Sequence, residues 1–68
     1  MTTFLATSSR RPNAIQRSAL HQIVKTNPRY WLAWGTPARN QPAVTLCFDG
    51  PREMADKQIV AEFRRLMD

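Results

Sequence analysis

The alternation of side chains in two segments, RYWLAWG (residues 29–35) and AVTLCF (43–48), limits most strongly what this chain can fold into. Both segments are rich in aromatic or β-branched residues, and a loop with two prolines, TPARNQP, separates them. Together these features predict an antiparallel hairpin. If Gly35 pairs with Ala43, one face of the hairpin holds large apolar side chains, namely Tyr30, Leu32, Trp34, Val44, Leu46 and Phe48. The opposite face then holds Arg29, Trp31, Ala33, Thr45 and Cys47.

The two tryptophans of the hairpin are expected on different faces. A slip of one residue would mix the apolar and polar sets, so the pattern selects this register. We therefore expect Tyr30 and Trp34 to point into the core and Trp31 to point outward.

The segment after the first prolines predicts a helix with one apolar and one basic side. Asn13 and Gln16 can form a capping box, and Asn27 before Pro28 marks the end of a helix of roughly 13 residues. The apolar half of its circumference holds Ile15, Ala19, Leu20, Ile23 and Val24. The other half holds Arg17, His21 and Lys25, which recur at every fourth residue and predict a basic outer stripe.

A second helix is predicted for the last third of the chain. Asp49, Gly50 and Pro51 are expected to end the second hairpin strand and begin this helix, with Pro51 in its first position. Glu53 precedes Lys57 by four residues, which is typical of a supporting charge pair. The apolar stripe holds Ala55, Ile59, Val60, Phe63, Leu66 and Met67, and the last turn holds Arg64 and Arg65.

These elements predict a single small basic domain over residues 1–68. TFLAT (residues 3–7) favours an additional short strand. The predicted fold class is α/β (α+β), a small two-layer β-α-β-β-α domain in which both helices pack on one face of the antiparallel hairpin. The sheet face with Trp31 then stays uncovered, and free strand edges invite strand addition.

Residue content argues against catalysis, a metal site or a cofactor. Cys47 and His21 are the single cysteine and histidine of 68 residues, so the chain forms no internal disulfide and no Cys/His zinc site. The acids fall within the last 20 residues, interleaved with bases, and no carboxylate pair is aimed at a shared cleft. We therefore expect a non-enzymatic protein. The lone cysteine suits a reducing compartment, and no segment approaches the roughly 18 apolar residues of a membrane span, so we also expect a cytoplasmic protein without a membrane partner.

The distribution of charge predicts an anionic partner. Residues 1–48 carry six Arg and Lys residues and no acid, whereas residues 49–68 carry four bases and all five acids. Such a region favours nucleic acid or an acidic protein surface. Cations can grip phosphates, and an exposed Trp can stack on a base or anchor a protein interface. The predicted binding residues are Arg10, Arg11, Arg17, Lys25, Arg29, Trp31 and Arg39.

Each of these residues also has a plain structural interpretation. The helical cations and Arg39 can form solvated surfaces, and Trp31 can lie against Thr45 and Cys47. Two functions remain open. The first is a small binding protein that acts on a nucleic-acid-handling system. The second is a phage- or plasmid-type inhibitor or adaptor that binds an acidic surface of a larger host or defence enzyme. A homodimer through the open sheet face or a strand edge is compatible with either.

The letters DKQIVAEFRRLM (residues 56–67) carry one family resemblance. The predicted element order, with a final helix opening on Asp56, Lys57 and Gln58, resembles the DinI family of small RecA modulators. The resemblance covers most of the chain as topology and these three residues as sequence, and it implies a β-α-β-β-α fold. That family is acidic, and its last helix is thought to imitate DNA. The corresponding helix here is close to neutral within a basic chain, so the resemblance is limited to topology.

Overall fold

The computed structural model describes residues 1–68 apart from the side chain of Pro37. The antiparallel sheet is formed by β1 (Thr2–Ser8), β2 (Tyr30–Trp34) and β3 (Val44–Asp49). The helices are α1 (Ala14–Thr26) and α2 (Lys57–Met67), and short 3-10 turns span Pro37–Arg39 and Arg52–Met54. The predicted α+β class and the β-α-β-β-α order are confirmed.

The hairpin register is also confirmed. The strands pair as Tyr30–Phe48, Leu32–Leu46 and Trp34–Val44. The N–H of Gly35 donates to the carbonyl of Ala43 at 3.0 Å. The alternation of apolar side chains therefore determines which face of the hairpin meets the helices.

The strand predicted for residues 3–7 pairs with the far side of β3, which gives the sheet order β1-β3-β2. The register shifts between Phe4 and Ala6, so Leu5 is the extra residue of a β-bulge. Leu5 is buried, and Ala6 packs against the same core. The bulge thus directs two consecutive side chains towards the helices, which a regular strand cannot do.

The core lies between the sheet and the two helices. Its buried cluster comprises Leu5, Leu20, Tyr30, Val44, Leu46, Phe48, Ile59, Phe63 and Met67. The helices contact each other, with α1 against β2 and α2 against β1. Both helices therefore occupy one side of the sheet and leave its other face without a helix.

Local sequence determines the ends of α1. The side chain of Asn13 accepts a hydrogen bond from the N–H of Gln16 at 2.8 Å, and the Gln16 side chain accepts one from the N–H of Asn13 at 2.9 Å. This capping box starts the helix where the sequence predicts it.

Ile15 was expected on the buried side of α1, yet it is 82% exposed. Leu20 points at the sheet, and Ile15 is five residues earlier, about 140° around the helix.

The predicted start of the second helix is wrong. Pro51 precedes the short 3-10 turn, the chain is extended at Ala55, and α2 begins only after Asp56. Asp56 caps α2, because its side chain accepts from the N–H of Gln58 at 2.8 Å. Its own N–H donates to the hydroxyl of Tyr30 at 2.7 Å. Glu53 therefore lies outside α2 and is not a helical partner of Lys57.

The expected burial of Trp34 is wrong as well. Its side chain lies on the helix side of the sheet, as its pairing with Val44 requires, but it is 46% exposed. Trp34 ends an edge strand, where α1 presents Arg17 and His21 instead of apolar side chains. Tyr30, at the other end of β2, is buried as predicted.

Candidate functional site

Trp34 lies beneath a line of polar side chains on α1. The Cζ atom of Arg17 is 5.4 Å from the centroid of the indole ring. The imidazole of His21 meets the indole edge-on, with 6.4 Å between the ring centroids. Lys25 lies one helical turn beyond His21 on the same line. We refer to Arg17, His21, Lys25 and Trp34 as the basic rim.

The basic rim is on the side of α1 that faces away from α2. Gln16 Nε2 donates to the carbonyl of Leu66 at 2.8 Å, so the opposite side of α1 packs on α2. The line through Arg17 and His21 therefore overhangs the outer edge of β2. A shallow groove on the solvent-facing surface of α1 is lined by Pro12 and by residues of this one helix, among them Arg17, His21 and Lys25.

The cations of the basic rim have no acidic partner among the described side chains. Elsewhere in the described part of the chain, the amino group of Met1 forms an ion pair with the Asp49 carboxylate. The two groups are 3.6 Å apart and well exposed. The positive charge of Arg17 and Lys25 is consequently available to an external anion. The favourable contact of a guanidinium with an indole face holds Arg17 in place over Trp34.

Arg29 is placed differently from the prediction. Its Nε and Nη2 atoms donate to the carbonyl of Asp49 at 3.0 and 2.6 Å. Its Cζ atom lies 4.8 Å from the ring centroid of Phe48, a core residue. The predicted position of Arg29 beside Trp31 on the uncovered face is therefore wrong for its guanidinium group, which binds the end of β3 instead.

The remaining predicted cations lie in connections. Arg10 and Arg11 are exposed in the segment between β1 and α1. Arg39 is exposed in the 3-10 turn of the hairpin loop, where its N–H donates to the carbonyl of Thr36 at 3.0 Å. These three side chains add positive charge before α1 and after β2.

Trp31 lies on the face of the sheet that has no helix, as expected. Phe4, Cys47 and Trp31 face one another across the three strands, and Thr7, Thr45 and Ala33 form the next row. Phe4 is 63% exposed and Trp31 is 38% exposed. We refer to these six residues, which carry no charge, as the neutral face.

Sequence reasoning missed two of these aromatic residues as candidates. Phe4 was not selected, although its alternation with Thr3 in TFLAT places it outward once β1 pairs with β3. For Trp34, the alternation of β2 predicts a place in the core. The signal that could have identified its exposure is the i, i+4 spacing of Arg17 and His21. These two residues of α1 contact the indole ring, and polar side chains do not shield it from water.

Cys47 and His21 do not form a catalytic pair. Cys47 points to the neutral face and is only 1% exposed, whereas His21 lies in the helix layer on the other side of the sheet. Burial raises the pKa of the Cys47 thiol above its ordinary value of 9.0, and a hydrogen bond from the backbone of Ala33 offsets part of this effect. Among the described side chains, no three potential metal ligands come together.

Comparisons with other proteins give no family for this chain. No family model, curated protein or solved structure matches it. The helices described here are all too short or too polar to cross a membrane. The letters Asp56-Lys57-Gln58 have a local explanation, because Asp56 caps the first turn of α2. The features that bear on function are therefore the basic rim and the neutral face.

Proposed function

We propose that this chain is a non-enzymatic binding protein that attaches to nucleic acid through the basic rim. The supporting observation is an exposed Trp34 with the Arg17 guanidinium 5.4 Å from its ring centroid. This pair belongs to a region of 48 residues without a single acid. Arg10, Arg11 and Arg39 extend the positive charge beyond the groove along α1.

Each part of the basic rim has a separate role in this proposal. Arg17 and Lys25 neutralise backbone phosphates without reading base sequence. The indole of Trp34 offers a stacking surface to an unpaired base, a contact that tolerates any sequence. A single strand can use both contacts, whereas a duplex, whose bases are already stacked, uses only the charges. We therefore expect single strands to bind more tightly than duplexes.

The test is fluorescence anisotropy with labelled single-stranded and duplex oligonucleotides at several salt concentrations. With three phosphates neutralised, a plot of log affinity against log salt falls with a slope of about −2.1 for single strands and about −2.7 for duplexes. Arg17→Ala and Lys25→Ala should each weaken binding and make the slope shallower. Arg64→Ala, which removes a cation from α2 in the acid-containing part of the chain, serves as the matched control and should change neither.

Two outcomes would contradict the proposal. The first is an affinity that does not change with salt. The second is an equal loss for Arg64→Ala and Arg17→Ala, which would mean that only net charge matters.

The neutral face supports a second candidate function, an inhibitor or adaptor that binds a larger host or defence enzyme. Exposed aromatic residues such as Phe4 and Trp31 are common anchors of protein interfaces. A partner held in this way is expected to stay bound at moderate salt and after nuclease treatment. The Trp31→Ala variant is expected not to bind it. Its release by nuclease would exclude this function, since the contact would then depend on nucleic acid.

A further inference from the structure

The direction of backbone hydrogen bonds in β2 can be read from its two ends. The N–H of Gly35 donates to the carbonyl of Ala43 at 3.0 Å. The carbonyl of Arg29 accepts from the N–H of Asp49 at 2.8 Å. Alternate residues of an antiparallel strand direct both backbone groups to the same side. The odd-numbered residues of β2 therefore face β3, and the even-numbered residues face away from the sheet.

The outer edge of β2 consequently carries unused hydrogen-bonding groups. The N–H of Tyr30 is taken by the carbonyl of Asn27 at 2.9 Å. The N–H and carbonyl groups of Leu32 and Trp34 have no hydrogen-bond partner among the described residues. A strand edge of this kind is a template for one more strand.

The other edge of the sheet is protected. In β1 the bulge at Leu5 interrupts the ladder, and the guanidinium of Arg52 donates to the carbonyl of Phe4 at 2.6 Å. The sequence of β2, YWLAW, contains no charged residue and no proline, and its pairing with β3 has no bulge. Native edges usually carry at least one of these protections. The difference indicates that β2 is the edge that accepts a strand.

The surroundings of this edge specify the chemistry of the strand. On the helix side it lies beneath the basic rim, where Arg17 and His21 contact Trp34. On the other side it borders Trp31 of the neutral face. Because side chains alternate along a strand, one set would meet cations and the other would meet an exposed indole.

We propose that β2 binds an extended acidic segment of a partner protein, which adds to the sheet as a fourth strand. Acidic side chains alternate in this segment with apolar ones. The acidic residues face Arg17, His21 and Lys25, and the apolar residues face Trp31. Backbone hydrogen bonds to Leu32 and Trp34 supply the attachment, and the charges select the segment. This activity goes beyond nucleic-acid binding, and the two ligands compete for the basic rim.

Charge disfavours the alternative of a second copy at this edge. Pairing β2 with the β2 of another molecule would bring two basic rims together, with no acid in residues 1–48 of either chain to offset them. A nucleic acid is not an alternative for the edge itself, since its phosphodiester backbone has no regularly spaced donors to match a strand. An acidic peptide satisfies both the backbone groups and the cations.

The experiment uses a peptide of alternating Val and Glu, followed by amide hydrogen exchange measured by NMR. Bound peptide should slow exchange of the Leu32 and Trp34 amides by about tenfold or more. The Phe4 amide, which faces outward at the protected edge, is the internal reference and should not change. A control peptide with the same residues and methyl groups on alternate backbone nitrogens keeps the charge but cannot pair, so it should bind much more weakly.

Two variants separate backbone pairing from side-chain contacts. Both Leu32→Pro and Leu32→Ala remove the leucine side chain. Leu32→Pro also removes an outward N–H that β3 does not use, whereas Leu32→Ala keeps it. Leu32→Pro should lose at least about tenfold in peptide affinity relative to Leu32→Ala, with both retaining oligonucleotide binding.

Equal affinities for the two peptides, or unchanged exchange at Leu32 and Trp34 in the peptide-saturated wild type, would overturn strand addition. Neither result would affect nucleic-acid binding, which is measured separately with the oligonucleotides. Conversely, failure of oligonucleotide binding would leave the peptide result intact.

Discussion

Cys47 is buried on the one face of the sheet that no helix covers. Phe4 and Trp31 are its neighbours on the flanking strands, and these two large side chains account for its 1% exposure. The thiol therefore loses contact with water and gains no charged partner. Its neutral form is favoured, as in other buried cysteines.

This burial predicts how stability depends on pH. The folded state keeps the Cys47 proton to a higher pH than the unfolded state, because desolvation raises the pKa above 9.0. Stability is unaffected below this value. Above it, the free energy of unfolding falls by up to about 1.4 kcal/mol per pH unit until the raised pKa is reached.

Urea unfolding of the wild type and of Cys47→Ala across this range provides the measurement. The difference between the two curves isolates the thiol, because every other side chain is the same in both proteins. Parallel curves above about pH 9 would contradict the prediction, because a thiol with an unshifted pKa adds no pH dependence.

At Trp34 and Arg29, the sequence predicts the place along the strand better than it predicts the contacts of the side chain. The period of two determined that Trp34 lies on the helix side of β2. Its exposure depends on which residues of α1 lie above it, and that depends on how the helix is rotated. Arg29 precedes β2, so the alternation of that strand does not determine where its long side chain points.

Among the elements, α2 offers the clearest test of a helix boundary. Asp56 caps the helix, whereas Glu53 lies in the preceding 3-10 turn. Asp56→Ala should therefore reduce the free energy of unfolding by about 1 kcal/mol, the usual cost of losing an N-cap. Glu53→Ala should change it by less than about 0.5 kcal/mol. Thermal unfolding of both variants measures the difference, and equal losses would place Glu53 inside the helix.

Elements with local signals were predictable, and elements that depend on distant contacts were not. The capping box of Asn13 and Gln16 determines α1 within its own first turn. For α2 the sequence offers two competing local signals, Pro51 and the N-cap Asp56. A distant contact supports the second, because the hydroxyl of Tyr30, 26 residues away, accepts a hydrogen bond from the Asp56 N–H. A proline at the end of a strand is compatible with either a helix or a 3-10 turn, and sequence alone did not distinguish them.

For the whole molecule, charge predicts opposite salt responses for two kinds of association. The chain carries a net charge of +5, and self-association brings like charges together. We expect a monomer of 7.8 kDa at low salt in sedimentation experiments. Any dimerisation should increase with salt, which screens the repulsion, while nucleic-acid binding decreases. A dimer at low salt that dissociates on adding salt would contradict this expectation.

The candidate site was predictable in composition but not in arrangement. An acid-free region identifies the cations, and Arg17 and Lys25 do share one line on α1. The sequence grouped Arg29 and Trp31 with them. The fold instead separates the set onto two sides of the sheet, because Trp31 faces away from the helices and Arg29 binds the end of β3.

The central position of β3 has a consequence for how the chain folds as it is synthesised. β1 and β2 leave the ribosome before β3, yet each of them pairs only with β3. Thr2, for example, cannot pair until Asp49 has been synthesised. Until that late segment emerges, the nascent chain has no β-structure to form, and α1 is short for a helix without tertiary support. Acquisition of structure is therefore concentrated in a single late step, and a chain arrested before residue 44 should be digested rapidly by proteases.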